Sequence, residues 1–186
     1  MQSADMTKPK DHNKVMYFCG ILASNESALS LGVQRVSMLL GEIVHETEAY
    51  EHKYTKYYDK EMGESKLRKF VAYLPLECPT KLRDIKLETN DMEDELANEL
   101  ALPVPRPVNL DPGYIDEPRV VLASCKDYNH RIAIGKGVYA DLHLIYSRKE
   151  GYVGMDWSYM DYTDETAREF FMKCRQILRS ERLKVL

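Results

Sequence analysis

Arg131-Ile132-Ala133-Ile134-Gly135-Lys136-Gly137-Val138-Tyr139-Ala140-Asp141-Leu142-His143-Leu144 is the stretch on which the reading of this chain turns. Apolar and polar residues alternate on both sides of Gly135-Lys136-Gly137, the pattern of two half-buried strands joined by a tight turn. With that triplet as the loop, Ile134 opposes Val138, Ala133 opposes Tyr139 and, counting outward, Arg131 opposes Asp141. Strand side chains alternate between faces, so Ile132, Ile134, Val138, Ala140, Leu142 and Leu144 are expected on one face and Arg131, Tyr139, Asp141 and His143 on the other. Arg131 offers a planar fork suited to a phosphate or carboxylate, and Asp141 is placed to orient it. His143, with Asp141, is the candidate for acid–base chemistry near neutral pH. The competing expectation is an exposed cross-strand ion pair beside a histidine, worth about 0.2–1 kcal/mol and needing no function.

Further ligand-binding candidates surround this hairpin. Lys126 lies in the loop that enters it, and His130 sits at the strand start, on the apolar side of the alternation, as a hydrogen-bonded edge residue. Asn109-Leu110-Asp111-Pro112-Gly113 reads as a turn, because proline pre-sets φ and glycine accepts positive φ, with Asp111 available to a ligand. Tyr57, Tyr58, Glu61 and Gly63 lie on an irregular connection that can line a pocket or cover an edge of the core, and the core edge is the favoured expectation. Trp157, Tyr159 and Tyr162 either pack the last helix on the sheet, the favoured expectation, or border the pocket with their polar tips.

The remaining elements follow from periodicity. Val15 to Leu22 is a continuous apolar run expected as a central strand. Ser24 and Asn25 can cap a helix carrying Leu29, Val33, Val36 and Leu40, which Gly41 ends. Glu42 to Tyr50 and Lys69 to Leu76 read as strands, with an irregular connection over Lys53 to Tyr58. Pro79 opens a helix whose buried stripe is Leu82, Ile85, Thr89, Met92, Leu96 and Leu100, with Asp91, Glu93, Asp94, Glu95 and Glu99 in water. Pro103, Pro105 and Pro107 hold an extended linker. Arg119 to Ser124, His130 to Ile134 and Val138 to Tyr146 form a meander, and Thr163 caps a last helix running to Arg182. The expected fold is a single α+β domain over residues 14–186, after a disordered tail over 1–13. It has a mostly antiparallel mixed sheet and about three principal helices, and those helices cover one face.

At 186 residues and 44% hydrophobic content the chain can bury a core, and its net charge of −4 provides no field for a phosphate backbone. No nucleic-acid partner is therefore expected. Cys19, Cys78, Cys125 and Cys174 are dispersed, with no metal-ligand spacing, so neither a zinc site nor a disulfide framework is expected. No cofactor is expected either. No apolar run reaches the ~20 residues of a membrane span, and the expected location is the cytoplasm. A small anionic ligand is the expected partner, with a protein docking on the acidic helix face as the alternative.

Several segments together carry a resemblance: Asn109-Leu110-Asp111-Pro112-Gly113-Tyr114, Leu122 to Ile132, Gly137-Val138-Tyr139-Ala140-Asp141 and Trp157-Ser158-Tyr159-Met160-Asp161-Tyr162. The chain resembles the domain-of-unknown-function family 4416, and the resemblance covers nearly everything after the tail. Some members of that family carry a GTP-binding label, which is the only activity the resemblance implies. A phosphate-binding loop requires GxxxxGK[ST] between a strand and a helix. The one Gly-Lys pair here, Gly135-Lys136, lies in a hairpin without the first glycine or the hydroxyl, so GTP binding of that type is disfavoured.

Overall fold

A computed structural model describes residues 8–55 and 57–184. The first seven residues of the expected tail lie outside the described residues, as does Lys56 of the expected irregular connection. The elements in chain order are β1 (Met16–Ala23), α1 (Glu26–Leu40), β2 (Glu42–Glu46), β3 (Tyr50–Glu51), α2 (Asp59–Met62) and β4 (Leu67–Leu74). A short 3₁₀ turn, Pro79–Lys81, then leads into α3 (Leu82–Leu100). After it come β5 (Val108–Asp116), β6 (Arg119–Ser124), β7 (Arg131–Gly135), β8 (Val138–Ser147), β9 (Gly151–Gly154), α4 (Met160–Thr163) and α5 (Glu165–Leu183).

The strands form one sheet in the order β2-β4-β1-β5-β6-β8-β7, with β3 on β4 and β9 on β8, and its ladders are antiparallel. The fold is α+β. Every residue of β1 is buried, so both faces of the sheet must be covered. Cys19, Ile21 and Ala23 pack with residues of α1 and α3, whereas Met16 and Phe18 pack with Phe170, Phe171 and Cys174 of α5. Helices therefore lie on both faces, in place of the single face expected, because a continuously apolar strand leaves neither side to water. Asn25 caps α1, accepting from the Ala28 amide at 2.9 Å. Asp164, one residue beyond the expected Thr163, caps α5 by accepting from the Ala167 amide at 2.8 Å.

Asp111-Pro112-Gly113 does not turn; it runs through β5, which pairs with β1 from Met16↔Ile115 to Ala23↔Val108. Gly113 has no positive φ. A Cβ there would stand 2.6 Å from the Val121 carbonyl oxygen and 2.7 Å from the Phe18 ring, so glycine serves close approach rather than reversal.

The ladder between β5 and β6 spans only Gly113↔Leu122 to Asp116↔Arg119, although β5 continues back to Val108 and β6 forward to Ser124. Beyond that point α3 takes the place of β6. Glu93 Oε1 accepts from the Leu110 amide at 2.7 Å, and Lys86 Nζ donates to the Leu110 carbonyl at 3.0 Å. Pro112 has no N–H to offer a strand neighbour, so little is lost when the strands part. Glu93, expected in water, is thus buried and bonded to the strand and to Arg106. The result is a cleft opening between two central strands.

Gly113→Ala should destabilise the protein by about 1–3 kcal/mol, since the backbone contact cannot yield like a flexible side chain. Denaturant unfolding checks this, and an unchanged midpoint would mean that β5 and β6 are not in tight apposition.

Candidate ligand-binding site

The β7–β8 hairpin turns on Lys136 and Gly137, both with positive φ (52° and 75°), as a two-residue connection of the primed type requires. The register runs Gly135↔Val138, Ala133↔Tyr139 and Arg131↔Asp141, with an irregularity after Ala133 that absorbs Ile134. Arg131 does face Asp141. The side carrying these charged residues is, however, the covered one: Asp141 is 1% and His143 0% exposed, while Ile132 on the opposite side is 72% exposed. A second irregularity, between Val120 and Val121 against β8, puts Leu144 in the cluster with α5, away from Leu142.

Asp141 is the hub of a closed network. Its Oδ2 accepts from Arg131 Nε at 2.9 Å and lies 3.3 Å from His130 Nε2, and its Oδ1 lies 3.3 Å from His143 Nδ1. His143 Nε2 accepts from the Tyr159 amide at 2.9 Å, which assigns the ring proton to Nδ1, directed at Asp141. Both nitrogens are thereby engaged, and His143 has none left to exchange a proton with a ligand. The remaining Arg131 donors go to Ser124 Oγ at 2.8 Å, the Lys126 carbonyl at 3.0 Å and the Tyr159 hydroxyl at 2.9 Å. Arg131 therefore organises the loop and strands around it instead of standing open as an anion clamp. Burial pushes the Asp141 carboxyl up, but His143 and Arg131 outweigh it and hold the group below the usual carboxylate range.

The same loop is tied to the other side of the sheet. Residues 157–163, which follow β9, begin against β8, where Trp157 Nε1 donates to the Leu142 carbonyl at 3.0 Å and Ser158 Oγ donates to the His143 carbonyl. They cross to β4, where Asp161 Oδ2 lies 2.5 Å from Arg68 Nη2 in ion contact. Tyr162 of this strap fits against β1 because β1 carries Gly20, where a Cβ would meet the Tyr162 hydroxyl at 2.4 Å. Arg68 also reaches Asp111 Oδ2 at 3.4 Å, and His52 Nε2 lies 3.5 Å from Asp161 Oδ2. Burial raises the Asp161 carboxyl, yet Arg68 and then His52 overcome it and bring it down to about 2.

Between the strap, the connection after β3 and the loop before β7 lies a cavity of about 670 Å³. That is the size of a small-molecule site. Its walls are Tyr54, Tyr57, Tyr58, Tyr128, Trp157 and Tyr159, and its floor holds Arg68, Asp111 and Asp161. His130 is sandwiched in one wall, its ring 4.8 Å from Trp157 and 6.0 Å from Tyr128 and nearly parallel to both. Lys126 stands at the rim, its Nζ 2.9 Å from the Tyr57 hydroxyl and 4.7 Å from the ring centroid. The narrower cleft between β5 and β6, about 130 Å³, adjoins it and shares Tyr58, Asp111, Lys126, Arg131 and Tyr159.

Of the residues singled out in the sequence, Lys126, Asp111, His130 and Arg131 line the larger cavity, Asp141 lines only the adjoining cleft, and His143 lies behind both as support. Tyr57 and Tyr58 form cavity wall in place of the core edge expected for them. Trp157 and Tyr159 combine their expected packing with a place in the wall. Arg68, Asp161 and His52 are additional. Arg68 was accessible from the sequence: it lies two residues before Phe70, so an alternating strand places a guanidinium on a core face. Among the described residues no three His, Cys, Asp or Glu side chains are grouped to hold a metal ion. Among them, too, no helix is long and apolar enough to cross a membrane.

The model of the domain of unknown function DUF4416 matches residues 13–178, and the chain belongs to that family. No curated protein and no solved structure matches it.

Removing Arg131 as Arg131→Ala should cost about 3–5 kcal/mol, because Asp141 would keep a buried charge without its main partner. Arg131→Lys should not restore the loss, since one ammonium cannot serve acceptors in four directions. A loss under about 1 kcal/mol in denaturant unfolding would identify an ordinary surface pair.

The lowered carboxyls also set a pH dependence. A carboxylate with a depressed folded value stabilises the fold fully above its unfolded value of about 3.9 and loses that effect as pH falls through the folded value. For Asp161 that lower limit is about 2. Unfolding free energy should therefore fall steeply between roughly pH 4 and pH 2. In Asp161→Asn the slope should be shallower from a lower starting stability. Parallel curves for the two proteins would remove Asp161 from the account.

Proposed function

We propose that this is a small-molecule binding protein whose cavity takes a flat ring carrying an acidic group, with the acid directed at Lys126. The observation that carries this is the convergence of six aromatic side chains, from three separate segments, on one concavity with a lysine at its rim. Such walls gain most from a planar apolar body, while a few polar groups fix its orientation. Lys126 is held in place by Tyr57, and an ammonium has three donors, so it can meet a carboxylate or phosphate while keeping that contact. The buried guanidiniums of Arg68 and Arg131 already face carboxylates, which leaves Lys126 to set the preference for an acid.

A protein partner on the acidic face of α3 is the weaker reading. Glu93 of that run turns inward to Leu110 and Arg106, and the rest is an ordinary solvated face. Residence in the cytoplasm is supported by four free cysteines, two of them fully buried.

Trp157 is the single tryptophan of the chain, so its emission reports on the cavity wall directly. Titration with flat acids such as 4-methylbenzoate and indole-3-acetate should change that emission saturably. Lys126→Ala should weaken binding about tenfold, the loss of one charge-assisted contact. No saturable change with any flat acid, together with no rise in melting temperature, would overturn the reading.

A further inference from the structure

The cavity floor carries carboxylates where the rim carries an ammonium. Two carboxylates, Asp161 at 2.5 Å and Asp111 at 3.4 Å, converge on the single guanidinium of Arg68. Arg131 supplies no compensation, because it is paired with Asp141. Asp111 receives Asn109 Nδ2 at 2.8 Å and Arg68 on the same oxygen, Oδ2, and among the described residues nothing donates to its Oδ1. Asp111 lines both the cavity and the adjoining cleft.

A second, independent feature marks the same floor. His52 is 5% exposed and lines the cavity, and its Nδ1 makes no hydrogen bond among the described residues. With Nε2 directed at Asp161, His52 Nδ1 is an acceptor. Buried polar atoms of this kind are normally satisfied by a partner. The floor thus carries two acceptors without a donor, Asp111 Oδ1 and His52 Nδ1, and N–H groups of a ligand would satisfy the first of them.

Resting on the cavity reading above, we infer that the ligand presents an amidine-like edge of adjacent N–H donors to Asp111, opposite its acidic group. The ligand class is then an amino- or amidino-substituted aromatic or heteroaromatic acid. Its ring lies between the aromatic walls, its N–H edge meets the carboxylate floor in paired, charge-assisted hydrogen bonds, and its acid meets Lys126.

The test compares 4-amidinobenzoate with 4-methylbenzoate, which share ring and acid and differ only in the donor edge. Wild-type protein, followed by Trp157 emission and calorimetry, should bind 4-amidinobenzoate at least about tenfold more tightly, the effect of one strong ionic hydrogen-bonded contact. Asp111→Asn should abolish that difference, whereas Lys126→Ala should weaken both compounds alike. Equal binding of the two compounds by wild type would overturn this inference and leave the cavity reading standing. So would a ratio that survives in folded Asp111→Asn. Binding of neither compound would remove both. If Asp111→Asn does not fold, the wild-type ratio alone decides.

Discussion

Two guanidiniums inside the protein impose the condition that the rest of the site obeys. Arg68 on β4 and Arg131 on β7 both point to the face covered by α5, where an unpaired charge would cost several kcal/mol. Their carboxylates come from different places: Asp141 from the neighbouring strand, Asp161 from the short helix α4, more than ninety residues beyond Arg68 in the chain. Neutralising Arg68 therefore pulls residues 157–163 across the sheet. His143 fixes the other end of that strap through the Tyr159 amide. An ion pair and a histidine on opposite sides of β5 thus hold one short segment in place, and the cavity is the space it leaves.

The sheet itself contributes the opening. Between β5 and β6 the ladder stops at Gly113↔Leu122, and α3 satisfies the Leu110 backbone through Glu93 and Lys86. Asp111 lies at that fork and so borders both the aromatic cavity and the narrow cleft. Ligand sites in sheet proteins recur where neighbouring strands diverge, because backbone and side-chain polar groups become accessible there without unfolding anything. The aromatic walls come from connections, whose conformations are free to adapt, while the charged floor is carried by strands and by the strap.

Much of the architecture was legible in local pattern. The unbroken apolar run of β1, the Asn25 cap and the spacing of Leu82, Ile85 and Leu96 in α3 all report burial at short range, where periodicity is decisive. The pairing of Arg131 with Asp141 was legible too, since a hairpin couples residues close in sequence. β5 was not. Asp-Pro-Gly has turn chemistry, and only the close packing of Gly113 on Phe18 and Val121, together with eight residues of pairing to β1, keeps it extended. Glu93 was misplaced for a related reason: an acid in an acidic run is solvated unless a distant backbone amide and an arginine need it.

By itself the sequence determined the α+β class, the pairing of Arg131 with Asp141 and the residues from which a site would be built, because these depend on spacing along the chain, whereas the turn itself is one residue shorter than expected, with Gly135 in place of Ile134 opposite Val138. Tertiary structure alone decided what each of them does. It sealed His143 between Asp141 and a backbone amide, committed Arg131 to four acceptors, and brought Asp111 and Lys126 to the floor and rim of one cavity. The physical reason is that a side chain's availability depends on which remote groups compete for its hydrogen bonds and its charge. That competition is settled only when β4, β8 and the 157–163 strap meet over the sheet.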